Sequence, residues 1–368
     1  MLDTKNNILI IEILQTDLLK WFEKSKRDLP FRRTKDPYFI WISEIMAQQT
    51  QIDTLIPFYN RFIENFPNVF SLAAASEDAV IKAWEGLGYY SRARNLHRAA
   101  KLIVSDYEGI MPHRFDELIK LPGIGPYTGG AIASIAFNER ISAVDGNVLR
   151  VISRYCNSFD DISDAKTKKR MTQWIETILP QASGDFNEGL MELGAMICTP
   201  QSPKCLICPI RSGCQSHAAG TTAQLPVKKK KQKQVTKQME VGIVIQNGEV
   251  LFVRRPKSGL LSGMWSFPIT ETTIGQGFDI KKKLEEIIPE LGEAVFLGTS
   301  RHVFSHIIWE MSVYGFNRDG LVCETNANAY LADDNDHLPT SQTTFVALSQ
   351  VDDLALPIAF SKLLSLIE

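Results

Sequence analysis

Four cysteines fall within the seventeen residues "CTPQSPKCLICPIRSGC", Cys198 to Cys214, spaced as C-x6-C-x2-C-x5-C. No other stretch restricts the fold so closely. Four thiols in so short a loop, with prolines and a glycine to turn it, can surround one metal centre. A disulfide knot is disfavoured, because the N-terminal "MLDTKNNILIIEILQ" does not read as a secretory leader: acidic residues flank its short apolar run and no small-residue cleavage site follows. Zinc is usually held by two separated C-x2-C pairs. One C-x2-C flanked by single cysteines suits an iron–sulfur cluster at least as well. Spacing alone leaves zinc and iron–sulfur evenly matched. Cys156 and Cys323 are isolated and read as buried apolar side chains.

The 368 residues allow two or three domains. From residue 10 to about 217 apolar residues recur at three and four, as in "TLIPFYNRFIENF" and "EDAVIKAWEGLGYYSRARNLHRAAKLIVSDY", so this region reads as helical throughout. Residues 218–238 are polar, basic and aperiodic, and read as a linker. Beyond them the texture changes. "MEVGIVIQNGEVLFVRR" reads as two strands around Asn247-Gly248, "HIIWEMSVYGF" as another strand and "DIKKKLEEIIPEL" as a short helix, which makes 239–368 a separate α+β domain. Net charge is zero over 1–227, +5 over 228–240 and −7 over 241–368. A DNA-binding surface would therefore be a local patch and not a global field. No apolar run is long enough to span a membrane, and a cytoplasmic protein is expected.

"LPGIGPYTGGAIASIAF", 121–137, joins two helices through Gly123 and Gly125, with Pro126 opening the second. Amides and dipole at such a helix start favour a phosphate. The plain alternative is a helix-to-helix turn, since a short G-x-G is weak alone. Eighteen residues past Tyr127, Asp145 stands in "AVDGNVLRVISRY". An isolated aspartate before a helix reads first as an N-cap.

"PYFIWISEIMAQQTQI", 37–52, holds a single charged residue, Glu44. Asp36 suits the N-cap of a helix here and Pro37 its first turn. A carboxyl on a mostly apolar helix is either paired to a base, with Arg32 or Arg33 at hand, or kept protonated as an acid; the residues alone leave these balanced.

Taken in order, L-P-G-I-G-x-Y-T, V-D-G-N-V-x-R and the four-cysteine spacing resemble the endonuclease III-type helix–hairpin–helix glycosylases over about residues 10–217. The resemblance implies a [4Fe–4S] cluster on Cys198, Cys205, Cys208 and Cys214. It also implies a mostly α region of two lobes: a six-helix lobe at 31–134 with the helix–hairpin–helix, and a cluster lobe from 1–30 and 135–217, with the active cleft between them. Within that family the chain resembles the MutY-type adenine glycosylases. Tyr127 occupies the position of the lysine that forms a Schiff base in the endonuclease III branch, and a phenol cannot form an imine. W-I-S-E-I-M-A-Q-Q-T, Trp41 to Thr50, carries the MutY-type glutamate at Glu44. "WEGLGYYSRARNL" and "FNEGLMELGAMIC" point the same way. The C-terminal α+β domain, 239–368, resembles the Nudix-like domain with which MutY-type enzymes recognise 8-oxoguanine, with Phe304, Ser305 and His306 matching its F-S-H motif.

These resemblances imply removal of adenine opposite 8-oxoguanine or guanine in duplex DNA, by a monomer. Glu44 is the expected acid that protonates the leaving adenine, implied at N7, and Asp145 the carboxylate that stabilises the oxocarbenium-like sugar. Tyr127 and Asn147 position Asp145 and water. Arg32, Gln49, Thr50, Leu87, Tyr89, Gly123 and Gly125 are the expected DNA or base contacts. Of these, Gln49 and Tyr89 would fill and wedge the duplex, although a tyrosine at 89 reads on pattern alone as core. Lys204, Arg211 and lysines 228–231 would track phosphates, the lysine run reading equally as a solvated linker. Phe31 stands where the family has tryptophan, and Ser266 where a glutamate is common. The Nudix metal box is broken: aligned on Gly292, the chain reads Glu285, Glu286, Ile287, Ile288, Pro289 and Glu290, with Glu271 and Gly277 upstream. No pyrophosphatase activity is expected. Two other readings stand beside this one: a damaged-pyrimidine glycosylase/lyase, and a non-catalytic iron–sulfur DNA-binding protein.

Overall fold

The computed structural model describes residues 7–229, 234–256, 258–272, 275–289, 291–317 and 343–367. Cys323, Lys230, Lys231 and Glu290 lie outside them. The chain divides into two units, Met1–Val80 with Ser91–Lys231, and Ile81–Tyr90 with Gln232–Glu368.

The first unit is helical: α1 (Ile8–Ser25), α2 (Pro37–Ala47), α3 (Ile52–Asn65), α4 (Val69–Ala74), α5 (Glu77–Ala83, reaching into the other unit), α6 (Ser91–Asp106), α7 (Phe115–Leu118), α8 (Pro126–Phe137), α9 (Gly146–Tyr155), α10 (Ala165–Ile178), α11 (Ser183–Met196) and α12 (Gln215–Ala218). The start of α2 is built as its residues suggest: Asp36 accepts a hydrogen bond from the Tyr38 amide at 2.8 Å, and Pro37 fills the first turn. At its other end, the buried Arg92 guanidinium on α6 donates to the carbonyls of Ile45 at 3.0 Å and Met46 at 2.9 Å, satisfying acceptors that a helix end leaves open.

Helix α11 is the centre of a core shared with α1, α9 and α10. Phe186, Leu190 and Leu193 pack with Leu14 and Leu18 of α1, Val148 and Ile152 of α9, and Trp174 and Ile175 of α10. Two glycines let the neighbours close on it. A Cβ at Gly184 would lie 2.5 Å from the Ser134 carbonyl oxygen on α8, and one at Gly194 would lie 2.7 Å from the Asn147 Cβ on α9. Between them, the fully buried Asn187 donates to Ser134 Oγ and to the Ile141 carbonyl, both at 2.9 Å, and accepts from the Ala143 amide at 3.1 Å. One amide thus fixes the segment that delivers Asp145.

Two expectations change here. The helical texture over 77–107 is interrupted, because Gly86, Gly88 and Tyr89 all have positive φ and turn the chain between α5 and α6. The stretch 218–238 is not uniformly a linker. Leu225 is buried, its carbonyl accepts from Arg154, and the Val227 carbonyl accepts from the Ile162 amide. Its far end enters a strand at Val235, drawn in by parallel backbone pairing that alternation could not reveal.

The second unit holds a seven-stranded mixed sheet: β1 (Val235–Gln246), β2 (Glu249–Arg254), β3 (Trp265–Ser266), β4 (Ile269–Glu271), β5 (Val295–Val303), β6 (Ile307–Asn317) and β7 (Thr343–Ala347), in the order β3-β2-β1-β6-β5, with β4 also on β1 and β7 on β2. Asn247 and Gly248 have φ of 50° and 78°, the left-handed pair of a two-residue hairpin, as their sequence suggests. Both sheet faces are covered, so β1 alternates between two cores. Val241 and Ile243 pack with Phe267 and Phe360, while Val244 packs with Ile280 and Leu284 of α13 (Phe278–Glu285). Glu240, fully buried on the α13 side, accepts from the Gly277 and Ile280 amides at 2.7 and 3.0 Å and so caps that helix.

Candidate active site

A cleft of about 780 Å³ opens in the first unit, and both expected carboxyls line it. Glu44 projects from α2, and its Oε2 accepts from the Tyr127 hydroxyl at 2.6 Å. Tyr127 sits in the first turn of α8, just past the glycine hairpin, so the hairpin sets its place. The same hydroxyl lies 3.2 Å from the Met191 sulfur on α11. Burial pushes the Glu44 carboxyl up to about 7; the carboxylates of Glu188 and Asp145 push the same way, while the Tyr127 hydrogen bond and Arg32 oppose it.

Asp145 is both N-cap and cleft residue. Oδ1 accepts from the Val148 amide and Oδ2 from the Asn147 side-chain amide, each at 2.7 Å. Burial raises its pKa as well, against these hydrogen bonds and the charge of Arg150. The two environments are therefore graded and not opposed in sign. The Asp145 carboxylate is held by Val148 and Asn147, and that of Glu44 by Tyr127.

Neither Arg32 nor Arg33 pairs with Glu44. Arg33 is exposed on Asp28. Arg32 bonds Glu188 through Nε and Glu192 through Nη2, both at 3.0 Å, and its buried Nη1 has no hydrogen-bond partner among the described residues. Arg27 makes a two-pronged pair with Glu192 at 2.8 and 2.7 Å, and with Arg32 offsets the cost of burying that carboxyl, bringing it down to about 2. Glu188 and Glu192 stand four apart in "FNEGLMELGAMIC"; like charges on one helical face were the available signal that a basic partner faces them. Met191, between them, gave no such signal.

Of the other expected contacts, Gln49 and Thr50 line the cleft just beyond α2, and Gln49 is exposed with φ of 61°, unusual for a residue with a side chain. Phe31 lines it too, edge-on to Tyr59 at 5.5 Å. Gly123 has φ of +80°, and a Cβ there would meet the Asn95 Cβ at 2.7 Å, so the hairpin tip needs glycine; Gly125 is extended and caps α8. Leu87 and Tyr89 belong to the other unit: Leu87 is buried, whereas Tyr89 is 46% exposed with φ of 47° and is not the core residue its pattern suggested. Phe304, Ser305 and His306 form the turn between β5 and β6. Phe304 packs edge-on against His302 and Trp309, and Ser305 and His306 are exposed.

The four cysteines Cys198, Cys205, Cys208 and Cys214 line one cavity beside α9. Burial pushes the Cys208 thiol up to about 12 without a centre, while Arg150 and Arg154 supply positive charge beside Cys198. Arg154, fully buried, donates to the Cys198 sulfur at 3.3 Å and to the carbonyls of Thr199 and Pro200 at 2.7 and 3.1 Å. Arg150 donates to the Cys198 carbonyl and to Asn147 Oδ1 at 2.8 and 2.9 Å. The loop and the Asp145 carboxylate therefore share one chain of hydrogen bonds. Two arginines four apart on the otherwise apolar "VLRVISRY" hinted at a buried acceptor cluster.

Family models match three stretches: the HhH-GPD superfamily base excision DNA repair proteins over 42–177, the iron–sulfur binding domain of endonuclease III over 198–214, and the NUDIX domain over 240–366. The iron–sulfur binding domain thus spans all four cysteines, and the cofactor of this chain is an iron–sulfur cluster. Solved structures with the fold of the helical part include a thermostable thymine-DNA glycosylase (28% identity, TM-score 0.53, 59% of this chain and all of that one) and a trapped endonuclease III–DNA covalent intermediate (23%, 0.50, 60% and 99%). Adenine DNA glycosylases of Buchnera aphidicola subsp. Baizongia pistaciae, Mus musculus and Homo sapiens are 36%, 33% and 33% identical, over 79%, 84% and 82% of this chain and 82%, 71% and 66% of their own lengths. With both cleft carboxyls in place and most of its length matched, the chain belongs to the adenine DNA glycosylase family.

Proposed function

We propose that this protein hydrolyses the N-glycosidic bond of adenine mispaired with 8-oxoguanine or guanine in duplex DNA, acting as a monomer in the cytoplasm with a [4Fe–4S] cluster. The observation that carries the reading is Glu44: a carboxyl in a cleft, raised to about 7, facing a second carboxyl held by Val148 and Asn147. A duplex adenine must leave the stack to reach such a cleft, and that costs least at a mismatch.

In the cleft, Glu44 gives its proton to a ring nitrogen, so that adenine departs neutral. Asp145, held by Val148 and Asn147, remains the carboxylate that faces the positive charge left on the sugar, and water completes the hydrolysis. Arg32 Nη1, buried and without a partner among the described residues, supplies a donor to a ring acceptor of adenine, and Glu188 an acceptor for its amino group. Tyr127 offers no amine, so strand scission through an imine has no nucleophile at this position. The cluster lobe of 1–30 and 135–217 is supported by the core that α1 shares with α9–α11. Bound there, the cluster supplies fixed geometry and charge to the loop, and Lys204 and Arg211 at that loop, with Lys228 and Lys229, meet phosphates. Phe304, Ser305 and His306, at the tip of the β5–β6 turn, read the base opposite adenine.

The test is single-turnover incubation with duplexes carrying adenine opposite 8-oxoguanine, followed by alkali. Breaks at adenine that need alkali support a monofunctional glycosylase; breaks without alkali support a lyase. No release at all contradicts the assignment.

A further inference from the structure

The Tyr127 hydroxyl has one hydrogen and two acceptors. Glu44 Oε2 is 2.6 Å away and the Met191 sulfur 3.2 Å away. Met191 is half-buried at the edge of the α11 core and lines the cleft three residues past Glu188. An apolar filler would do for packing at this position, and Leu190 and Leu193 beside it are leucines. A thioether differs from leucine in having a sulfur lone pair, a weak hydrogen-bond acceptor.

We infer that Met191 is a positioning residue for the catalytic acid, its sulfur competing with Glu44 for the Tyr127 hydroxyl hydrogen and so holding the Glu44 proton in place. A hydrogen bond from a phenol stabilises a carboxylate more than a carboxylic acid. Each share of that hydrogen drawn to sulfur weakens the bond to the ionised form and keeps Glu44 protonated at higher pH. The device is local. The charged and titratable groups facing Glu44 are Arg32 from the turn Pro30–Arg32, Tyr127 from α8, Asp145 from the start of α9, and Glu188 from α11. Met191 alters one of these, Tyr127, without adding a charge.

The inference rests on Glu44 being the acid but can be read without substrate. The Glu44 carboxyl is titrated by 13C NMR, with its signal assigned by its absence in Glu44→Gln, in the full-length holoprotein. Met191→Leu, close in volume, is expected to lower the midpoint by roughly half a pH unit. Met191→Gln, which restores an acceptor, returns it toward the parent value. In a Tyr127→Phe background, Met191→Leu is expected to leave the midpoint where it was, since there is no hydrogen to divide. An unmoved midpoint in Met191→Leu, or an equal shift with Tyr127 absent, overturns the inference. Both outcomes are independent of excision: a protein that titrates as expected but releases no adenine contradicts the proposed function instead.

Discussion

The Tyr127 hydroxyl donates to Glu44 across 2.6 Å, joining the first turn of the helix after the glycine hairpin to the last turn of the apolar helix α2. This bond favours the ionised carboxylate, yet burial outweighs it and leaves Glu44 at about 7. Excision by a protonated Glu44 is therefore expected to fall tenfold per pH unit above about 7, and to fall again at acid pH as Asp145, whose pKa burial also raises, takes up a proton. A single-turnover profile measures both limbs. Glu44→Gln should abolish excision while leaving binding to the mismatched duplex largely intact.

The same residue predicts a gain in stability on its loss. The folded carboxyl binds its proton more tightly than the unfolded one, so its contribution is fully present below the unfolded pKa and is lost as pH rises through the folded value. At pH 8 Glu44→Gln is expected to stabilise the fold by about 1–2 kcal/mol, allowing for its partial exposure to the cleft, and at pH 4 by almost nothing. Denaturant titrations at the two pH values check the difference; an equal effect at both would assign it to packing.

Asp145→Asn keeps a carbonyl for the Val148 amide but sets an amide against that of Asn147. Excision should fall by at least about a thousandfold, the scale expected when a stabilising charge is removed from a cleft of this kind. The cap loss adds a cost of about 1 kcal/mol at most, so melting should change little. Rate and thermal denaturation together separate the two effects.

Asn187→Ala removes three buried hydrogen bonds that tie α8, α11 and the segment before Asp145 together. Leaving those partners unsatisfied should cost about 2–4 kcal/mol. Excision should slow even below the melting range, because the Asp145 segment loses its anchor. Wild-type rate at 20 °C would show that the segment is held by other means.

Arg154→Ala should release the cluster loop. It removes donors to Cys198, Thr199, Pro200 and Leu225, and the charge beside the thiolates. Iron per polypeptide should fall, measured by metal analysis. Excision should fall with it, since Arg150 links the Cys198 carbonyl to Asn147 and hence to Asp145.

Much of this was legible in the sequence, for physical reasons. Glu44 stood out because charge is rare on its helix, and Asp36 and Pro37 marked where that helix starts. The cysteine spacing announced a centre but not which one; the match to the iron–sulfur binding domain of endonuclease III decided it. The four-residue spacing of Glu188 and Glu192 signalled a basic partner, but which arginines answer it was hidden, because ion pairs between residues far apart in sequence leave no periodic trace. Met191 and Asn187 were hidden for a like reason, since each serves a neighbour that only the packing of α8 on α11 provides. The strand start at Val235 was missed because parallel pairing with β6 lies in the backbone.

Single-turnover excision on a duplex with adenine opposite 8-oxoguanine, compared between the parent protein, Glu44→Gln and Asp145→Asn, tests the central claim most directly. The two cleft carboxyls predict alkali-dependent breaks at adenine for the parent and none for either variant, with mismatch binding retained in both. Near-parental release by either variant, or release that does not require alkali, would contradict it.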